Sequence, residues 1–281
     1  MSTPFASAAP YHARYRPPYP AEFYTLLADR FALDGWQTVL DLGAGPGANS
    51  LALAPLVDHV YAVDPEPAML AEGRRLAEER GCTNVSWLEG DASVVSRLCL
   101  PRIDLCIIGS AFRRMDRARV LADLDAMLAP RGGIVLVSSA AGSEGRRPPW
   151  ITVVEEVCAH FLGADGRTAD DVADPDEPAS REDLDERLAK SAFSRIDTTT
   201  WNQRLRFTAD QLIGLQLSFP GPARPCSVTG RAPSSPRCVR PCWTTIRAAR
   251  TPGPSPSRPP SRRGPGRDRG PGSLTGPAAV Q

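Results

Sequence analysis

Asp41, Asp64 and Asp91 each stand at or just beyond the end of a short apolar run, and Gly43, Gly45 and Gly47 follow the first of them at alternate positions. Glycines so spaced make a tight turn whose backbone angles are closed to side chains, and they let a ligand approach the main chain closely. Gly43-Ala44-Gly45-Pro46-Gly47-Ala48 formally satisfies the dinucleotide pattern G-x-G-x-x-G/A, so glycine spacing alone leaves a nicotinamide dinucleotide open. The acids point elsewhere. Asp41, two residues before the first glycine, is placed for a cationic amine and would repel a pyrophosphate. Asp64 can take two ribose hydroxyls, and Asp91 can accept from an exocyclic amine while Met69 and Ala92 flank an adenine ring. The implied ligand has a positive centre, a ribose and an adenine, and no phosphate.

These residues need a scaffold of alternating strands and helices, and the chain has that pattern. Apolar residues Phe23, Leu26, Leu27 and Phe31 recur at helical spacing after Pro20. Strands are predicted at Thr38–Leu42, His59–Val63, Asn84–Leu88, Ile103–Ile108 and Ile134–Ser138. Helices follow from about Pro46, from Pro65, and after the capping residue Asp116. Five strand–helix alternations predict an α/β, Rossmann-like, doubly wound, mostly parallel sheet with right-handed crossovers. Ahead of it lies a flexible leader ending in YHARYRPPYP. Beyond Ser139 come a helix over Trp150–Leu162, an acidic connection, a helix over Glu182–Lys190, a sixth strand in FSRIDTTTWNQRLRF, and a last helix opened by a Thr208/Gln211 capping box.

The composition changes near Ser218. Residues 1–218 carry 22 Lys and Arg against 31 Asp and Glu, whereas residues 219–281 carry 11 Arg against Asp268 alone, together with 14 of the 29 prolines. Such a segment buries too little apolar surface to offset its ordering entropy, and a disordered tail is expected over 219–281. Two origins remain open: a basic tail with weak affinity for nucleic acid, or an out-of-frame reading of a GC-rich gene, which yields Pro, Arg, Gly, Ser and Ala. The seven cysteines form no C-x-x-C pair or zinc spacing, so no metal site is expected and free thiols in a reducing compartment are. The N-terminus lacks a signal-peptide pattern, and no apolar run approaches a membrane span. A cytoplasmic protein, monomeric or homodimeric, is expected.

VLDLGAGPG, AVDPEPAML, EGDA and the run from IDLCIIGSAF to LAPRGGIVLV resemble the consecutive motifs of class I S-adenosylmethionine-dependent methyltransferases. Within them the chain is similar to the methyltransferase type 11-like, trans-aconitate methyltransferase-like small-molecule group, over about Tyr11 to Leu217. The resemblance implies strand order 3-2-1-4-5-7-6 with the last strand antiparallel, and S-adenosylmethionine as cofactor. It implies that Asp41, Gly43, Gly45 and Gly47 hold the methionine part, Asp64 the ribose, Met69, Asp91 and Ala92 the adenine, with Ser110 and Phe112 beside the sulfonium. It divides the chain into a methyltransferase domain at 1–218 (lid 1–35, cofactor core 36–139, substrate-side region 140–218) and the tail. Nothing after Leu217 looks like the closing strand, so a missing seventh strand and a poorly stable sheet are expected.

Methyl transfer to a small-molecule acceptor is the implied activity. His12, Tyr11 and His160 are the candidate bases, and Arg113 and Arg114, which stand where related sequences carry His and Trp, are candidate partners for an acidic acceptor. Two other readings stand beside it: a decayed or non-catalytic cofactor-binding protein with a frameshifted C-terminus, and an NAD-dependent oxidoreductase. The latter would need a hydride-side pair such as Tyr/Lys, and the one lysine, Lys190, lies outside the sheet's ligand edge.

Overall fold

A computed structural model describes residues 5–141, 152–153, 156–157, 181–219, 237–239 and 241–249. In chain order the elements are α1 (Ala9–Tyr15), α2 (Ala21–Phe31), β1 (Thr38–Leu42), α3 (Ala48–Leu53), β2 (His59–Asp64), α4 (Pro67–Glu79), β3 (Val85–Glu89), β4 (Ile103–Ile108) and α5 (Arg117–Met127). They continue with β5 (Leu128–Ala141), α6 (Arg181–Ala189), β6 (Arg195–Asn202), β7 (Leu205–Phe207), α7 (Ala209–Leu217), β8 (Arg237–Val239) and β9 (Pro241–Ala249). All lie within the compact unit Met1–Thr251. Among the described residues no helix is long and apolar enough to cross a membrane.

Seven strands form one sheet in the order β3-β2-β1-β4-β5-β9-β6. β1 runs parallel to β2 and β4, β2 to β3, and β4 to β5, so the predicted Rossmann-like core is present. Register sorts the side chains by parity. Val39, Leu105, Ile107, Val135 and Val137 pack with Phe23 and Leu27 of α2 and Leu53 of α3 on one face. Leu40, Leu42, Cys106, Ile108, Ile134 and Leu136 pack with Val120, Leu121 and Leu124 of α5 and Leu188 of α6 on the other. Both faces are covered, which is why these strands are nearly continuous apolar runs.

Four expectations are corrected. The seventh strand is present: β9 lies antiparallel to both β5 and β6 and fills the interior position expected to be empty. Residues 237–239 and 241–249, placed by composition in a disordered tail, are therefore strands, and β8 pairs with β7 in a small second ladder. Proline and arginine content averaged over 63 residues hides the run Trp243-Thr244-Thr245-Ile246, aromatic and β-branched as a strand prefers. Two open sheet edges then supply the hydrogen-bond partners that such a short run lacks by itself. The sixth-strand segment splits into β6 and β7. Finally, part of the leader is ordered as α1; a seven-residue helix is marginal alone, and tertiary packing holds this one. Tyr15 lies against Gly214 of α7, and the Arg16 guanidinium sits 3.8 Å from the Phe219 ring centroid.

β5 begins at Leu128 and takes in Gly132 and Gly133, where a turn and a strand start at Ile134 were expected; the remaining boundaries fall close to their predicted places. Asp116 caps α5 through Arg119 N, and the Thr208/Gln211 capping box opens α7. Of the helix expected over Trp150–Leu162, residues 152–153 and 156–157 are helical, while His160, the acidic connection and 252–281 lie outside the described residues.

Candidate functional site

The site is built where β1 ends. Gly43, Gly45 and Gly47 have φ of +74°, +56° and +81°, and the turn carries the chain directly into α3. Its N–H groups are occupied within the protein. Gly43 N and Ala44 N donate to Val63 O at 2.8 and 3.0 Å, Gly47 N donates to Ala44 O at 3.0 Å, and Gly45 N donates to Asp64 Oδ2 at 2.8 Å. Pro46 has no N–H to offer. The turn therefore lacks the row of outward N–H groups that cradles a pyrophosphate.

The charge beneath the turn is negative and partly unpaired. Asp41 is 1% exposed; its Oδ2 accepts from Ser50 N at 2.9 Å and Ser50 Oγ at 2.6 Å, and its Oδ1 is buried with no partner among the described residues. Burial pushes its carboxyl up to about 7 against the Ser50 hydrogen bonds, and the nearby Asp64 carboxylate adds to the rise. Asp64, also buried, accepts from Gly45 N through Oδ2 and from Glu66 N through Oδ1 at 2.9 Å. Burial raises its pKa as well. Glu66, 6% exposed, caps α4 by accepting from Ala68 N through Oε1, and its Oε2 is buried without a partner.

One side of the site is closed by α1 and the other by the turn after β4. His12 Cε1 stands 3.8 Å from where a Cβ on Gly45 would lie, and burial with the Arg16 charge lowers the imidazole to about 3, so it is neutral. Tyr19 and Asn49 converge under Gly109, the residue that follows β4; the Tyr19 hydroxyl is held un-ionised by burial and by Asp41, and Tyr24 donates to Asn49 Oδ1. Ala111 packs directly on Gly43. Trp87 of β3 lies over Gly47 and Gly73, in the sheet row that also holds Ala62 and Asp41.

The structure brings Asp41, the three glycines, Asp64 and His12 into one locus. Met69 and Ala92 are buried, and Gly90 N donates to Asp64 O, which ties the Asp91–Ala92 segment to the same edge. Asp91 itself is exposed, its Oδ1 accepting from Ser93 N and Oγ, and those bonds hold its carboxyl below the ordinary value. Phe112 is buried and Ser110 exposed. Tyr11 is 38% exposed and stacked on Tyr15, and the Arg114 guanidinium lies 4.6 Å from the Phe5 ring centroid. Arg113 is half-buried in the same turn. Sequence reasoning missed Ser50, Asn49, Tyr19 and Glu66. Ser50 had a signal: a hydroxyl three residues past the last glycine falls on the first turn of α3, above the acid that ends β1.

Residues 39–132 match the protein family described as "Methyltransferase domain". Among curated proteins, the chain is 34% identical over 128 residues to a protein-L-isoaspartate O-methyltransferase of Anaeromyxobacter dehalogenans, covering 45% of this chain and 57% of that one. It is 31% identical over 166 residues to an uncharacterized methyltransferase of Mycobacterium bovis, covering 59% and 61%. The chain thus spans less than two thirds of the length of these relatives. Among solved structures, the YcgJ protein of Bacillus subtilis shares the fold with TM-score 0.53 at 18% identity, over 83% of this chain and 100% of that one. A structure from Bacillus halodurans gives 0.50 at 18% identity, over 82% and 99%.

Proposed function

We propose that this chain, whose residues 39–132 are a methyltransferase domain, transfers a methyl group from S-adenosylmethionine to a small-molecule acceptor. The observation that carries the reading is the acidic glycine turn, with its N–H groups occupied internally and the Asp41 Oδ1 and Glu66 Oε2 oxygens buried without partners. A ligand with a cationic amine and ribose hydroxyls supplies what those oxygens lack; a pyrophosphate supplies the wrong charge. The same feature disfavours an NAD-dependent oxidoreductase.

S-adenosylmethionine, when bound, supplies a methyl already activated by a sulfonium. The protein's part is to hold, align and exclude water. Asp41 receives the amine while Ser50 fixes its carboxylate, and Gly43, Gly45 and Gly47 keep the floor open for close approach. Asp64 would hold the ribose, and Met69, Ala92 and Asp91 would hold the adenine. Ser110 and Phe112 border the transfer position, where the buried Phe112 ring excludes water. His12 lies over the turn as a neutral imidazole, and with its pKa lowered to about 3 it walls the site and is a weak base near neutral pH. Arg113 and Arg114, in the turn after β4, favour an acceptor bearing a carboxylate.

The test has two stages. Calorimetry with S-adenosylmethionine, S-adenosylhomocysteine and NAD is expected to show binding of the first two alone; binding of NAD alone would sink the reading. Methyl transfer is then screened over small carboxylic acids and other metabolites, and turnover is expected with an acid.

A pH dependence follows from Asp41. With its carboxyl raised to about 7, the folded ligand-free protein holds a proton there that the unfolded chain releases near its ordinary value of 3.8. That contribution to stability is complete below pH ~4 and is lost as pH rises to ~7. A cationic amine needs the ionised form, so S-adenosylhomocysteine affinity is expected to rise between pH 6 and 8, by at most about tenfold per pH unit below 7, and to level off above. Titrations at pH 6, 7 and 8 check this, with Asp41→Asn expected to flatten the profile.

A further inference from the structure

We propose that Glu66 is a second carboxylate acceptor for the ligand's ribose hydroxyls, beside Asp64, which also ties the glycine turn to the start of α4. The proposal rests on the S-adenosyl reading above and adds a residue to it.

Asp64 stands where a ribose acceptor is expected, yet both its oxygens hold main-chain N–H groups. Oδ2 takes Gly45 N at 2.8 Å and Oδ1 takes Glu66 N at 2.9 Å. Those bonds join the end of β2, the glycine turn and the N-terminus of α4 into one rigid piece and leave one further lone pair on each oxygen. Glu66 is different. Its Oε1 accepts from Ala68 N at 3.1 Å, and its Oε2 is buried without a hydrogen-bond partner. The residue is 6% exposed, so the second oxygen is withdrawn from water as well.

Capping α4 does not explain Glu66. A cap needs one oxygen, and Ser, Thr, Asp or Asn provides it on a shorter side chain without burying a second. A buried carboxylate oxygen with nothing donating to it is unfavourable unless a partner arrives. The two carboxylates also repel: Glu66 is among the causes that raise the Asp64 pKa. A pair of hydroxyls, as on a ribose, relieves both problems. One O–H satisfies Glu66 Oε2, and its neighbour can reach a remaining lone pair on Asp64. Glu66 is one hydrogen bond from Asp64, which is one hydrogen bond from Gly45, so the diol would lie at the edge of the turn that bears the rest of the ligand.

The test compares S-adenosylhomocysteine with its 2′-deoxy and 3′-deoxy analogues on the full chain and on Glu66→Ser, which keeps a short capping oxygen and removes the reach. The wild type is expected to bind one deoxy analogue at least tenfold more weakly than the parent. Glu66→Ser is expected to melt within a few degrees of wild type, to bind the parent about tenfold more weakly, and to show no further loss with that analogue. Should the serine chain not fold, Glu66→Gln keeps a carbonyl for Ala68 and is expected to shrink the deoxy penalty several-fold. A deoxy penalty of wild-type size in whichever variant folds overturns the proposal and leaves the cofactor reading standing. A wild type that binds neither S-adenosylmethionine nor S-adenosylhomocysteine overturns both. Asp64→Asn separates the two acids: it is expected to lower the melting temperature and to shrink only the penalty of the other deoxy analogue, leaving the penalty that depends on Glu66 unchanged.

Discussion

Deleting residues 219–281 is expected to abolish cooperative unfolding, whereas deleting 252–281 leaves the melting transition in place. The difference is β9. It pairs with β5 from Gly133–Ala249 to Ala141–Pro241, and with β6 from Arg195–Ala249 to Asn202–Cys242. Removing it exposes two interior ladder edges, and a buried backbone group without a partner is unfavourable wherever water cannot replace it. It also opens the sheet beside Ile134, Val135, Leu136 and Val137, all at most 5% exposed. Apolar surface uncovered at ~25 cal/mol per Å² over a strand's length is comparable with the net stability of about 5–15 kcal/mol that a domain possesses. Circular-dichroism melts of the two truncations decide it. If residues 1–218 melted as sharply and as high as the full chain, β9 would contribute nothing to the sheet.

Gly43→Ala is expected to lower S-adenosylhomocysteine affinity by at least 100-fold. A Cβ at this position would stand 2.4 Å from the Ala111 Cβ, far inside the ~3.5–4 Å that two carbons prefer. Neither atom can rotate away, so the turn Ser110–Arg114 must move from the place that borders the transfer position. The backbone adds its own penalty: φ of +74° is left-handed, costing about 1–2 kcal/mol for a residue with a Cβ. Gly81→Ala isolates that second part. Gly81 has φ of +63° with nothing within 4 Å of its added Cβ, and it lies beyond the far end of α4. It should lower the melting temperature by about 2–8 °C, the range for a 1–2 kcal/mol loss in a domain of this size, and leave binding unchanged. Equal binding losses in the two variants would remove Gly43 from the ligand site.

The filled interior position also bears on the decayed-protein reading. A missing strand would leave the sheet incomplete, and the described strands leave no gap there. The origin of the proline- and arginine-rich composition stays a separate question of the coding sequence. Comparing the reading frames downstream of Leu217 answers it.

The parallel core was legible in the residues because its information is local. An apolar run ending at Asp41, glycines at alternate positions and a capping residue at Asp116 each specify a strand end, a turn and a helix start within a few neighbours. Order and spacing along the chain then specified β1 to β5 and the edge where Asp41, Asp64 and the glycines meet. What the tertiary structure alone decided is which polar groups are already bonded once the chain is folded. Ser50 completes one oxygen of Asp41 and leaves the other open; Gly45 and Glu66 each donate to Asp64; Glu66 buries an oxygen that nothing among the described residues meets. The docking of α1 through Tyr15 and Gly214, and the insertion of β9 between β5 and β6, likewise depend on partners about 200 and 100 residues away. Periodicity and composition report a residue's own neighbourhood. Hydrogen-bond satisfaction and strand insertion belong to pairs that only folding brings together.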